Sequence, residues 1–257
     1  MTPLLVQWLK DALLEVQEYV KLCFAVFYAV VTPPFYYTDV VEQFDRIGVK
    51  SLTVVLLTGL FTGAVLALQT GLTLDQFGAR SVVGRLVSAS MVKELGPVLT
   101  ALMVSGRVGS GIAAELGSMM VTEQISALRA LGTDPIRKLA VPRVLAGLVM
   151  VPILTVISGG IGMVGGWLVA TTQLRVASTV YWTSVIDGLY MADVWMGLIK
   201  PFFLGFVIVS IGCHVGLRTT GGTQGVGRST TNAVVASSVA VLGVNFIVTR
   251  LLITLLY

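Results

Sequence analysis

Residues 94–143 read ELGPVLTALMVSGRVGSGIAAELGSMMVTEQISALRALGTDPIRKLAVPR. The stretch is entered through a charged pair, Lys93 and Glu94, and runs on as an apolar segment. It then becomes a small-residue stretch holding Gly106, Gly109, Gly111 and Gly117. A polar helical segment follows at Glu123–Leu131, stopped by Gly132 and by Asp134-Pro135. Long apolar runs flank the whole, which predicts an ordered connection between membrane spans. An ordered helix in such a connection is a surface that a partner can use.

Composition agrees with a membrane chain. Of 257 residues, 55% are hydrophobic and only 12% charged, and the mean hydropathy is +0.90. Soluble domains carry about 25% charged residues. The length accommodates about five or six spans of roughly 20 residues, and no separate soluble enzyme module. A scattered net charge of +4 supports no nucleic-acid partner. Cys23 and Cys213 both lie in apolar surroundings and read as packing. No signal peptide is expected: Asp11, Glu15 and Glu18 precede a short apolar run, Leu22–Val31, that has no small-residue cleavage site.

The charge-free windows Ser51–Leu74, Val144–Leu174 and Ser229–Thr249 are each long enough to cross a hydrocarbon core of about 30 Å. A further span runs from Leu86 to about Gly106, interrupted by Lys93 and Glu94. Another, Val194–Leu217, is interrupted by Lys200 and His214. Five spans place the termini on opposite sides. With the N-terminus inside, the inner segments carry Lys10, Lys21, Arg46, Lys50, Arg107, Arg129, Arg137, Lys138, Arg143, Arg218 and Arg228, and the outer ones fewer, among them Arg80, Arg85 and Arg175. That bias puts the Glu123–Leu131 helix in the cytoplasm and the C-terminus outside.

Ahead of the first span, Leu4, Leu5, Trp8, Leu9, Ala12, Leu13, Val16, Tyr19, Val20, Cys23, Phe24 and Phe27 recur at three- and four-residue spacing, with Lys10, Asp11, Glu15, Glu18 and Lys21 opposite. The pattern predicts a helix lying in the membrane interface and ended by Pro33-Pro34. The alternative is a shortened sixth span from about Tyr19 to Val31. A second amphipathic piece with Val40, Val41, Phe44 and Ile47 leads into the first span, so residues 1–48 read as an interfacial elbow and 49–257 as the membrane domain.

Enzymatic motifs are missing. None of the six lysines follows a glycine, which excludes a Walker A loop. A single histidine excludes H-E-x-x-H, and G-x-S-x-G does not occur. Gly109-Ser110-Gly111 follows a membrane helix and not a strand, so it is no dinucleotide fingerprint.

The ionisable pair Lys93 and Glu94 stands out because charges at membrane depth cost a few kcal/mol and usually face a cavity, a partner or water. Pro97 loosens the helix beside them. The competing reading places both near the outer interface, with Lys93 snorkelling and Glu94 paired to Arg85. His214 reads as a satisfied interfacial residue. Gly162 and Gly166 permit close helix approach, either inside one protomer or across a dimer seam. Gly221–Gly227 reads as a turn-rich loop. In the polar segment Ile125, Leu128 and Leu131 form one face, which suits either the bilayer surface or a partner's groove.

Several ordered blocks together resemble the MlaE/YrbE permease family, the membrane subunits of MCE-type lipid ABC transporters. They are VLALQ at 65–69, KELGP at 93–97, GRVGS at 106–110, AELG at 114–117, TEQI at 122–125, Asp134-Pro135, VPR at 141–143 and AVLG at 240–243. The resemblance covers about Val49 to Leu252. It implies a homodimeric all-α permease with an interfacial N-terminal helix, five spans per protomer and a cytoplasmic coupling helix between the second and third. It also implies cytoplasmic ATPase subunits that hold ATP and Mg2+, an MCE-domain ring on the outer side and, in some relatives, a STAS-domain subunit. The substrate class is lipid, phospholipid first, in the bacterial inner membrane. The alternative is a self-contained channel or ion-coupled carrier.

Two sets of site residues follow. Leu66, Gln69, Leu74 and Phe77 recur near helical spacing and approach the charged pair, so with Lys93, Glu94 and Leu95 they are expected to line a lipid pocket. Glu123, Ile125, Leu128 and Arg129 are expected to dock the ATPase. No cofactor is expected on this chain.

Overall fold

The computed structural model describes residues 2–33 and 36–256, all of them helical or in short connections, with no strand among the described residues. The helices are α1 (Thr2–Val31), α2 (Tyr37–Ile47), α3 (Leu52–Asp75), α4 (Val83–Ser90), α5 (Gly96–Val104), α6 (Ser110–Val121), α7 (Gln124–Ala130), α8 (Val141–Thr172), α9 (Ser178–Asp187), α10 (Met191–Leu217) and α11 (Gly222–Leu256). Five stretches are long and apolar enough to cross a membrane: Tyr37–Asp75, Arg80–Val121, Ile136–Thr172, Met191–Leu217 and Gly222–Leu256. One end of the bundle carries α7 and the other α9.

Small residues decide how these helices meet. On α3 the buried positions Val55, Gly59, Gly63, Ala67 and Gly71 recur every four residues and face α8. A Cβ on Gly63 would stand 1.8 Å from the Gly162 carbonyl oxygen, and one on Gly165 would stand 2.1 Å from that of Leu60. Lipid offers apolar side chains no reason to leave it, so backbone-close packing of this kind holds spans together. Gly162, Gly165 and Gly166 of the third span therefore serve the interior of one protomer, whereas a Cβ on Gly159 or Gly160 would meet nothing within 4 Å. At the α9 end Tyr181 is fully buried beside Val83, Val87 and Met91, and its hydroxyl donates to the Met163 carbonyl at 2.9 Å. Burial pushes that phenol above its usual range, so it stays a donor.

The second span departs from the expected plain helix. It is broken by π-helical turns at Met91–Leu95 and Ser105–Gly109. Residues 106–117, read above as part of the connection, instead continue the helix to Val121. The reason is packing: a Cβ on Gly109 would meet Ser237 and Ile208, and one on Gly117 would meet Thr219 at 2.8 Å. Close contact with α10 and α11 outweighs the helix cost of glycine, roughly 1 kcal/mol each. The last span likewise begins earlier than expected. Gly221 and Gly222 take positive φ, +87° and +66°, and α11 starts at once, so the turn is shorter than the loop 221–227.

Helix α7 matches the expected segment within a residue at each end. Gly132 has φ +77°; its N–H donates to the Arg129 carbonyl at 3.0 Å and the Thr133 N–H to that of Leu128 at 3.0 Å. This is a Schellman cap, which needs a left-handed residue and so a glycine. Glu123 also takes a left-handed conformation, φ 59°, where the chain turns out of α6.

Helix α1 stops at Val31, ahead of Pro33; Pro34 lies outside the described residues, as do the side chains of Leu4, Leu5, Trp8, Leu9, Asp11 and Ala12. Glu15 meets His214 at 3.3 Å and Arg218 at 3.6 Å, while Arg137 donates to the Pro33 carbonyl at 2.5 Å. His214 and Arg218 close α10, and Arg137 opens the third span. Glu15 and Pro33 therefore both make contacts at the α7 end of the bundle. Tyr19 donates to or accepts from Ser210 at 2.8 Å, and Phe27 stacks on Phe206 at 5.2 Å.

Candidate functional site

The charged pair of the second span sits inside a polar cluster. Pro97 has no N–H to give the carbonyl four residues back, that of Lys93. That carbonyl accepts the Lys200 ammonium at 2.7 Å, and the same ammonium reaches Glu94 Oε1 at 2.5 Å. The sequence feature that breaks the helix thus creates the acceptor that holds the buried cation. Gly197, one turn before Lys200, brings α10 against the second span: a Cβ there would lie 2.7 Å from the Val92 carbonyl oxygen.

From α11, Asn245 Nδ2 donates to Glu94 Oε2 at 3.2 Å and Thr249 Oγ1 to Oε1 at 3.3 Å. Lys200 is fully buried, whereas 41% of the Glu94 side chain remains accessible. The Asn245 amide oxygen is buried with no hydrogen-bond partner among the described residues. A buried acceptor without a donor and a carboxylate that is still open make this cluster a place that can take a polar group. Lys93 turns to Asp193 on α10, at 2.6 Å, and Asp193 also accepts from the Tyr190 N–H at 3.2 Å, fixing the start of α10.

The seven residues expected to line one pocket do not all face one cavity. Leu66, Gln69 and Leu95, with Phe61, Thr62 and Val65, line a groove of about 340 Å3 along α3. Glu94 points to α10 and α11, and Lys93 to Asp193. Leu74 packs into the cluster around Val83 and Tyr181, and Phe77 lies beyond α3, 77% exposed. Within this chain the groove and the charged cluster are adjacent through Leu95 but do not form one cavity. Arg85 does not pair with Glu94; it donates to the Tyr190 hydroxyl at 2.9 Å.

Sequence reasoning missed Lys200, Asp193, Asn245 and Thr249 as site residues. Lys200 carried a signal, a lone cation in an apolar span. Asn245 and Thr249 lie in a window without charges, and nothing in their spacing ties them to Glu94.

At the other end, α7 presents Glu123, Arg129 and Leu131 outward, with Leu131 80% exposed. Ile125 is 1% exposed and turns into the core, and Leu128 is half-buried against it. Ile125 therefore anchors α7 to its own protomer and is not on the outward face. The reason is amphipathicity, since the apolar stripe of so short a helix covers the bundle beneath it.

Five stretches long and apolar enough to cross a membrane, with an ion pair joining two of them, define a multi-pass membrane protein. Residues 40–251 match the family model described as Permease MlaE. The chain is 45% identical over 228 residues to a probable ABC transporter permease protein of Rickettsia felis, covering 89% of this chain and 88% of that one. It is 38% identical over 213 residues to the intermembrane phospholipid transport system permease protein MlaE of Haemophilus influenzae, covering 82% of each. The chain belongs to the MlaE permease family and is a transport subunit, not an enzyme.

Proposed function

We propose that this chain is the permease of an ATP-driven transporter that moves phospholipid between the bacterial inner membrane and an MCE-domain protein on its outer side. The observation that carries the reading is the Glu94–Lys200–Asn245–Thr249 cluster beside the Leu66–Gln69–Leu95 groove. Apolar walls suit acyl chains and a hydrogen-bonding cluster at their edge suits a headgroup. The phospholipid transport in the name of the Haemophilus relative supports the same substrate class. ATP and Mg2+ would sit on separate cytoplasmic ATPase subunits, and a STAS-domain subunit is compatible with the assembly.

The positive charge gathered at the α7 end supports an N-terminus in the cytoplasm and a C-terminus outside. Residues 1–48 then form the interfacial elbow, residues 49–257 the membrane domain and α7 the coupling helix, with Glu123, Leu128, Arg129 and the exposed Leu131 nearest the ATPase. Only 11% of the membrane window of α11 is buried within the chain. Its outward Val235, Val239, Leu242 and Phe246 support a second copy packing there, which would close the open side of the Glu94 cluster.

A photocrosslinking residue at Leu66, in the complex with its ATPase in native membranes, is expected to capture phospholipid. The comparison is the same residue at Phe203, an exposed apolar position outside the groove. Capture at Phe203 and none at Leu66 would contradict the site.

A further inference from the structure

Two sequence blocks left without a role, around Arg107 and around Glu115, meet in a second cavity of about 590 Å3 between α2 and the second span, its walls mostly apolar with charged groups among them. Its walls include Gln43, Arg46, Arg107, Gly111 and Glu115. Glu115 is spent on its neighbours: Arg46 donates to one carboxylate oxygen at 2.7 Å and Arg143 pairs with the other at 3.0 Å. Arg46 also holds Glu42 at 2.7 Å. Three guanidiniums thus face two carboxylates, Glu42 and Glu115, and one positive charge is left over. That charge is Arg107, exposed to the cavity, whose guanidinium has no hydrogen bond or ion pair among the described residues.

Arg107 lies inside a candidate span, where a cation without a counter-charge is unfavourable and an anion of the membrane is at hand. The glycines beside it keep the approach clear. A Cβ at Gly106 or Gly111 would meet nothing within 4 Å. The cavity also lies beside α2, whose pairs Lys50–Asp45 and Lys138–Asp39 form a charged layer of the kind found at headgroup depth.

We propose that this cavity binds the phosphate of an anionic phospholipid headgroup, with Arg107 as the donor and the acyl chains lying against the bundle. Guanidinium and phosphate match as planar fork and tetrahedral anion, which is why arginine is the usual partner. The site is separate from the Glu94 cluster and requires only that the chain sits in a membrane. Its failure would leave the transport reading untouched.

The test is native mass spectrometry of the full chain, purified in neutral detergent and titrated with dioleoyl phosphatidylglycerol or dioleoyl phosphatidylcholine. The expected result is preferential retention of phosphatidylglycerol. Arg107→Gln should weaken that retention about tenfold, the value of one charge-assisted hydrogen bond. Arg107→Lys should keep most of it, and phosphatidylcholine binding should be unchanged in both. Equal retention of the two lipids, or phosphatidylglycerol held as tightly by Arg107→Gln, would overturn the proposal. Displacement of the lipid by inorganic phosphate at equal concentration would assign the site to a free anion and overturn it as well. Should Arg107→Gln not fold, a photocrosslinker at Gly111, where a side chain fits, must label phosphatidylglycerol in the otherwise native chain; no adduct there counts against the site.

Discussion

Lys200→Met is expected to destabilise the permease by roughly 3 kcal/mol and to stop lipid transfer. Removing one member of a buried ion pair strands the other charge, which typically costs about 3–5 kcal/mol. The lower end applies here because the Glu94 carboxylate stays partly open. The loss reaches further than the pair. Lys200 also donates to the Lys93 carbonyl, to which Pro97 offers no N–H, so the variant loses the strut between the second and fourth spans. The double variant Glu94→Gln, Lys200→Met removes the stranded charge and should recover most of the thermal stability without recovering transfer. Melting of the purified complex and transfer of a labelled phospholipid separate the two effects. A stable and active Lys200→Met protein would mean that the cluster is incidental.

Leu131→Asp is expected to abolish association with the ATPase while leaving the permease folded. The residue, at the C-cap of α7, is 80% exposed and contributes little to its own bundle. A carboxylate placed in an apolar groove of a partner would be buried without a counter-charge. Hot-spot losses of 2 kcal/mol or more correspond to about thirtyfold or greater weakening. Leu128 is a poorer probe because it packs on the core, and Ile125→Asp should damage the permease itself. Co-purification of the ATPase with Leu131→Asp at wild-type yield would place α7 on the membrane surface instead.

The spans, α2 and the ends of α7 could be read from the chain because local rules set them. Apolar length fixes a span, three- and four-residue spacing fixes α2, and Gly132 fixes a cap. The continuation of the second span through Gly106–Gly117 could not, because glycine reads as a turn former until the helices it packs against are known. The same limit governs the site. Lys93 and Glu94 are conspicuous as charges among apolar residues. Which way each points depends on a π-helical turn, and that turn depends on Pro97 together with the close approach of α10 at Gly197. Asn245 and Thr249 come from a helix about 150 residues away in sequence, so their hydrogen bonds to Glu94 are tertiary information. Ile125 shows the complementary error. The apolar stripe of α7 was legible, but whether it faced its own bundle or a partner was not.

The central claim is that this chain carries phospholipid through a path powered by a separate ATPase. The direct measurement is transfer of a fluorescent phospholipid from proteoliposomes holding the permease with its co-purified ATPase to acceptor MCE protein, with hydrolysable ATP and with a non-hydrolysable analogue. Transfer that requires ATP hydrolysis and falls to background in Glu94→Lys, which would crowd a third cation beside Lys93 and Lys200, is the predicted result. Transfer that continues at full rate with the non-hydrolysable analogue would contradict the account and favour a self-contained channel or ion-coupled carrier.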